Sequence, residues 1–226
     1  MITFRAISKG DTYAGNHLEY ADYLDEDRKI VGEWWGEGAE KLDLAGKVEK
    51  YQIDNVRQGR HPETGEKLRQ RMNLDSSKAR TMFDITFSAP KSVSIMGVLG
   101  DDEGIRSAHE IAVKEGLQAA EQLAQTRVRA GGMNENRATE NLVFALYHHD
   151  TSRKSDPQIH THAVAFNLTY DPVEKRWKAL EPREIFENLK YITEVYRNAL
   201  ARELASLGYE IEPMFSESGK SLGFEI

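Results

Sequence analysis

Residues 141–169 read NLVFALYHHDTSRKSDPQIHTHAVAFNLT, and this stretch decides the architecture. Asn141 to His149 and Ile159 to Thr169 are apolar runs of strand length, and the nine-residue connector Asp150 to Gln158 folds the second back beside the first as an antiparallel neighbour. Four of the seven histidines fall inside it, at His148, His149, His160 and His162. Residues two apart on a strand share a face, so His160 and His162 project side by side while Thr161 points to the other side. The same counting puts Tyr147 and His149 on one face and Leu146 and His148 on the other. One of the two adjacent histidines can therefore join the pair, and periodicity does not choose between them. Three neutral imidazoles leave open positions on a bound cation, which is a catalytic and not a closed structural arrangement.

Outward from this hairpin, Phe83, Ile85 and Phe87 alternate with Met82, Asp84 and Thr86, the period of a strand with one buried face. Asp84 points away from the phenylalanines and is placed to hydrogen-bond the distal nitrogen of a ligating histidine. Ser88 offers an N-cap and Pro90 suits a first helical turn, so a short helix is expected from Ser88, its amides forming a phosphate cradle with Lys91 and Ser92. A strand over Ile2 to Ile7, helices over Asp11 to Leu24, Lys47 to Gln58, Asp101 to Ala124 and Pro182 to Leu207, and strands over Arg127 to Ala130 and Arg176 to Leu180 complete the pattern. Nothing calls for a parallel βαβ unit. The expected fold is α+β, an antiparallel sheet of about five strands with helices on one face, in a single domain over residues 1–226. Leu222 to Ile226 reads as the inside of a strand, which predicts a domain cut short at its C-terminus.

Composition narrows the chemistry. At 39% hydrophobic and 30% charged residues the chain is not intrinsically disordered. It has no run of roughly 18 to 20 apolar residues and no signal-peptide core, so no membrane span is expected and the cytoplasm is the default compartment. With no cysteine there is no disulfide and no thiolate ligand, and a metal must be held by histidine and oxygen. The net charge of −7 argues against a broad positive field for a polyanion. Yet residues 11–49 alone, with eleven acids and four bases, account for that balance, while Lys50 to Arg80 hold eight bases against four acids. Arg127 and Arg129, two apart before Gly131-Gly132, and Arg153 in the hairpin connector are the further candidates for backbone contacts. Trp34, Trp35 or Trp177 could stack bases, although core packing is the commoner fate of tryptophan.

Several of these segments together resemble a known family. They are His149-Asp150-Thr151-Ser152-Arg153 with Asp156 to His162, Asp84 to Ser94, Gly32 to Ala39, Gly59 to Leu68, and Leu180-Glu181-Pro182-Arg183 leading to Gly208-Tyr209-Glu210-Ile211. Taken in chain order they resemble the N-terminal relaxase domain of conjugative relaxases of the relaxase-helicase type, in the HUH endonuclease superfamily, over essentially the whole chain. The resemblance implies a palm-like fold and a site- and strand-specific nickase acting on single-stranded DNA at a transfer origin in plasmid mobilisation. A tyrosine hydroxyl would attack the scissile phosphate, giving a 5′-phosphotyrosine adduct and a free 3′-OH. It implies His149, His160 and His162 as ligands of a divalent ion, Mg2+ or Mn2+, with Asp84 orienting a histidine and assisting proton transfer. The implied partners are accessory relaxosome proteins and a C-terminal helicase domain in the full-length protein.

The nucleophile departs from the family pattern. Well-known members carry two tyrosine pairs near the N-terminus, whereas this chain has Tyr13, Tyr20 and Tyr23 with no adjacent pair. Counting back from Gly32-Glu33-Trp34 favours Tyr23, with Tyr20 next, since residues three apart share a helix face. A single nucleophile implies one cut and one rejoining per site. Three alternatives stay open: a rolling-circle replication initiator nickase, a three-histidine metal hydrolase using metal-bound water, and a DNA-binding module without catalysis.

Overall fold

The computed structural model describes residues 2–8, 32–69, 79–130, 133–152 and 154–226. The expected helix over Asp11 to Leu24, with Tyr13, Tyr20 and Tyr23, lies outside the described residues, and so does Arg153. The centre is a six-stranded antiparallel sheet in the order β1 (Ile2–Ser8), β4 (Arg80–Ser88), β8 (Pro157–Phe166), β7 (Phe144–Thr151), β2 (Glu33–Trp35) and β3 (Gly46–Lys47). The architecture is thus α+β and antiparallel as the alternation predicted. It is one strand wider and differently composed: β2 and β3, three and two residues long, are too short to leave a periodic signal, while the strands expected over Arg127 to Ala130 and Arg176 to Leu180 lie outside this sheet.

One face of this sheet carries Phe83, Ile85, Phe87, Phe144, Leu146, Ala163 and Ala165, all buried against α4 (Glu103–Gln122) and α6 (Leu189–Ser206). Asp102 caps α4 by accepting from the amides of Gly104 and Ile105. Gly116 lets α4 lie close to the sheet, because a Cβ there would come within 2.7 Å of the Phe87 ring. Helix α3 (Lys91–Leu99) packs at the edge of this layer.

The other face is apolar at one end and polar at the other. Met82, Val143, Ala145, Val164 and Phe166 pack there with Trp34, Leu42, Leu44 and Val56, the last three from the segment that holds α1 (Glu37–Glu40) and α2 (Lys50–Arg57). The expectation of helices on one face only is corrected here: half of the histidine-bearing face has its own small core. Trp34 is part of it, with its indole nitrogen donating to Gln52 at 2.9 Å, so it does not stack bases.

Other departures have local causes. Ser88 is the last residue of β4, paired with His160, so the N-cap of α3 falls to Pro90. The helix expected over 182–207 breaks at Asn188 into α5 (Arg183–Glu187) and α6, because the Asn188 side chain bonds back to the Glu184 carbonyl. Strand β6 (Met133–Ala138) pairs with β5 (Gln125–Ala130), which also pairs with β11 (Leu180–Glu181). β6 reads MNENRA, polar on both faces, and the sequence pattern passes over it. Two ribbons, β9 (Thr169–Asp171) with β10 (Arg176–Lys178) and β12 (Glu212–Phe215) with β13 (Ser221–Glu225), complete the described structure. Among the described residues no helix is long and apolar enough to cross a membrane.

Candidate active site and nucleic-acid cleft

Register decides which histidines meet. On β7 and β8, His149 stands opposite His160, Tyr147 opposite His162, and His148 opposite Thr161. Directly opposed residues share a face, so His149 joins His160 and His162 while His148 points to the helix side. The ring centroids are 4.9 Å apart for His149 and His160, 5.2 Å for His160 and His162, and 5.4 Å for His149 and His162. Asp84, 4% exposed, reaches His162 Nδ1 at 2.9 Å, and Thr86 Oγ1 lies 3.2 Å from the same nitrogen.

These contacts fix tautomers. A carboxylate only accepts, so His162 carries its proton on Nδ1 and its lone pair on Nε2. The carbonyl of Gln158 accepts from His160 Nδ1 at 2.9 Å and leaves Nε2 of His160 with its lone pair. Burial pushes the His160 imidazole below its ordinary pKa, helped by the neighbouring His162, which keeps it neutral and fit to ligate. Among the described residues no three His, Asp or Glu side chains enclose an ion as they stand, and His149 and His160 lie nearly parallel at 16°. The spacing shows how small the difference is: two imidazoles on one ion at ~2.1 Å hold their centroids roughly 5 Å apart. The centroid spacing is that of imidazoles sharing one ion, while the ring orientations are not. The donor set therefore fits a divalent ion held by three imidazoles, with Asp84 orienting one of them.

The expected anion cradle at the start of α3 is engaged otherwise. The Glu225 carboxylate of β13 accepts from the amide of Ser92 at 2.8 Å and from its hydroxyl, and Lys91 donates to the Pro157 carbonyl at 2.9 Å. In this structure Ser92 holds the C-terminal ribbon, and Lys91 ties α3 to the start of β8.

Arg127 and Arg129 lie far from the histidines, in a cleft of about 670 Å3 that also gathers Arg69, Arg80, Arg176 and Lys178, with Trp177 and Phe83 in its wall. Glu181 is the acid among its lining residues and is paired with Arg127. Arg80 and Ser88 are the two ends of β4, so the cleft and the histidines are separated by roughly 25 Å along the sheet. Sequence reading noted the basic run up to Arg80 but missed Arg176 and Lys178, which flank Trp177 at strand spacing; that alternation was the available signal. Such a cleft suits a phosphate backbone with an aromatic surface for a base.

An antiparallel palm that gathers three histidines and a buried aspartate on one face is of the HUH endonuclease type. The chain belongs to the TrwC relaxase family, whose model matches residues 7–226. It is 38% identical over 226 aligned residues, 94% of the chain, to the multifunctional conjugation protein TraI of Escherichia coli, and 40% identical over 213 residues to TraI of strain K12. The chain spans 12% of the length of either relative. Its fold superposes on the conjugative relaxase TrwC in complex with oriT DNA in the metal-bound form, with a TM-score of 0.86 and 35% identity over the whole chain and 75% of that structure. A second TrwC complex, with a 27-mer comprising the recognition hairpin and the cleavage site, gives a TM-score of 0.83 at 34% identity, covering 74% of that chain.

Proposed function

We propose that this chain is the nicking domain of a conjugative DNA-transfer protein, a site- and strand-specific transesterase acting on single-stranded DNA at a transfer origin. The observation that carries this reading is the convergence of His149, His160 and His162 in front of Asp84, in a member of the TrwC relaxase family. The three histidines would hold a divalent ion, Mg2+ or Mn2+, and imidazole ligation favours Mn2+ because Mg2+ keeps oxygen ligands. When bound, the ion supplies positive charge to the non-bridging oxygens of the scissile phosphate. Asp84 keeps the proton of His162 on Nδ1, so that Nε2 is the ligating atom. Tyr23, or Tyr20 beside it, is the nucleophile: its oxygen bonds to phosphorus as the bond to the departing 3′ oxygen breaks, leaving a 5′-phosphotyrosine and a 3′-OH. Free phenol has a pKa of ~10, so attack at neutral pH needs the nearby cation or a base to take the proton. The ester conserves the energy of the phosphodiester, and the reverse attack reseals the strand.

Arg127, Arg129 and their neighbours in the cleft would hold the DNA away from the cut, with Arg153 as a further contact. The family suits a cytoplasmic protein continued by a helicase domain and assisted by accessory relaxosome proteins. The test is incubation of labelled single-stranded transfer-origin DNA with Mn2+ and the unsubstituted chain, Tyr20→Phe, Tyr23→Phe or both. A DNA–peptide adduct on one tyrosine, lost in its Phe variant and in EDTA, is expected. Cleavage that survives the double substitution with no adduct would overturn the tyrosine mechanism.

A further inference from the structure

Behind the histidine face, on the helix side of the sheet, a row of buried polar groups is used neither by the core nor by the reaction proposed above. Thr161, the middle residue of His160-Thr161-His162, is fully buried, and its Oγ1 is met from two elements: by His109 Nε2 of α4 at 2.9 Å and by His148 Nδ1 of β7 at 2.8 Å. His109 Nδ1 lies 3.0 Å from the buried hydroxyl of Tyr196 on α6. At the other end His148 Nε2 faces Glu33 Oε1 of β2 at 3.6 Å, and Lys114 of α4 reaches the same oxygen at 3.0 Å.

With one proton on each imidazole, the protons along this row run in one direction. Tyr196 is fully buried, and His109 Nδ1 is the acceptor its hydroxyl meets among the described residues, so the tyrosine donates and Nδ1 carries the lone pair. His109 Nε2–H then donates to Thr161, and the Thr161 hydroxyl donates to His148 Nδ1. His148 Nε2–H is left facing the Glu33 carboxylate. The reverse order strands the tyrosine proton in the core and sets the lone pair of His148 against a carboxylate, and an unpaired buried donor is disfavoured. Burial holds His109 neutral, with its pKa pushed down to about 3, which agrees with a single proton on that ring.

We propose that the one-directional chain Tyr196, His109, Thr161, His148 is a positioning device for His160 and His162. Thr161 sits between the two residues on the opposite face of β8, so any rotation of its backbone swings both imidazoles in the same sense. Clamped by α4 and β7 at once, Thr161 cannot turn without breaking two hydrogen bonds, and the pair keeps the narrow geometry that ligation requires. Thr161 and His109 are positioning residues that act through the strand. The inference rests on the metal reading above for its purpose, but not for the order of its protons.

Two measurements test it. Long-range 1H–15N correlation on the metal-free, unsubstituted protein is expected to show His109 as the Nε2–H tautomer; an Nδ1–H tautomer would overturn the proposed order. Mn2+ affinity, read from the free-ion electron paramagnetic resonance signal, is expected to fall about 10-fold in Thr161→Val and to return to within about twofold of the original in Thr161→Ser. Unchanged affinity in Thr161→Val, or equal loss in both variants, would overturn the positioning role. Should Thr161→Val fail to fold, the tautomer still tests the order, and Tyr196→Phe, which removes the first donor of the chain, replaces it: Mn2+ affinity within twofold of the original would overturn the positioning role. Absence of Mn2+ binding by the unsubstituted protein would sink the metal reading and the positioning role together, whatever the tautomer.

Discussion

Asp84 is the one buried carboxylate that meets a histidine of the site among the described residues. It is a carboxylate 4% exposed that accepts from His162 Nδ1 and from the Thr86 hydroxyl, so its charge is placed to make that imidazole a stronger ligand. Asp84→Asn keeps an acceptor oxygen and removes the charge. Single-turnover cleavage is expected to slow by about 10- to 100-fold with little change in melting temperature; a rate within twofold of the original would deny Asp84 its orienting role. This residue was legible in the sequence because period two set it opposite Phe83, Ile85 and Phe87. Thr161 was equally visible as the residue pointing the other way, but its partners were not: His109 lies 52 positions away on a helix and Tyr196 lies 87 positions from His109. The choice of His149 over His148 needed the register of β7 against β8, which no periodicity supplies.

At the scale of the element, α4 carries two buried titratable groups that pull in opposite directions. The Glu121 carboxylate near its C-terminal end accepts from the amides of Leu142 at 2.8 Å and Glu37 at 3.0 Å, tying α1 to the sheet, and burial pushes its pKa up to about 7. Gly36 is needed beside it, at φ 107°, because a Cβ there would meet the Leu142 carbonyl at 2.6 Å. Between pH 4.5 and 7 the folded chain keeps a proton on Glu121 that the unfolded chain releases, so stability from this group falls as pH rises, by roughly 3 kcal/mol in full. His109 is shifted down and works the other way: below pH 6.5 the unfolded chain binds a proton the folded one refuses, and stability falls as pH falls toward 3. Glu121→Gln is expected to raise stability in urea unfolding by about 2 kcal/mol at pH ~8, with the gain gone by pH ~4.5. A gain that does not vary with pH would contradict the assignment. The two ends of α4 were readable from Asp102 and from the apolar spacing, whereas the break at Asn188 turned on one side chain bonding its own helix, which spacing cannot reveal.

For the whole molecule, the distribution of charge matters more than its sum. A chain of net charge −7 still gathers five arginines and a lysine around one cleft. If that cleft holds single-stranded DNA, each neutralised phosphate contributes about −0.7 to the slope of log affinity against log salt. The double variant Arg127→Ala, Arg129→Ala is then expected to flatten the slope by roughly 1 to 1.5, while the cleavage rate of saturated complex is unchanged. Arg129→Ala alone is expected to cost more than Arg127→Ala, because Arg127 is already paired with Glu181 and Arg129 makes no ion pair among the described residues. Equal salt slopes for the original and the double variant would remove the cleft from the DNA path. The start of α3 stands in contrast. There the amide and hydroxyl of Ser92 hold the Glu225 carboxylate, a counterfeit phosphate furnished by the protein itself. While that impostor is seated, the Ser92 amide and hydroxyl are closed to the phosphate of a passing strand, a berth already taken.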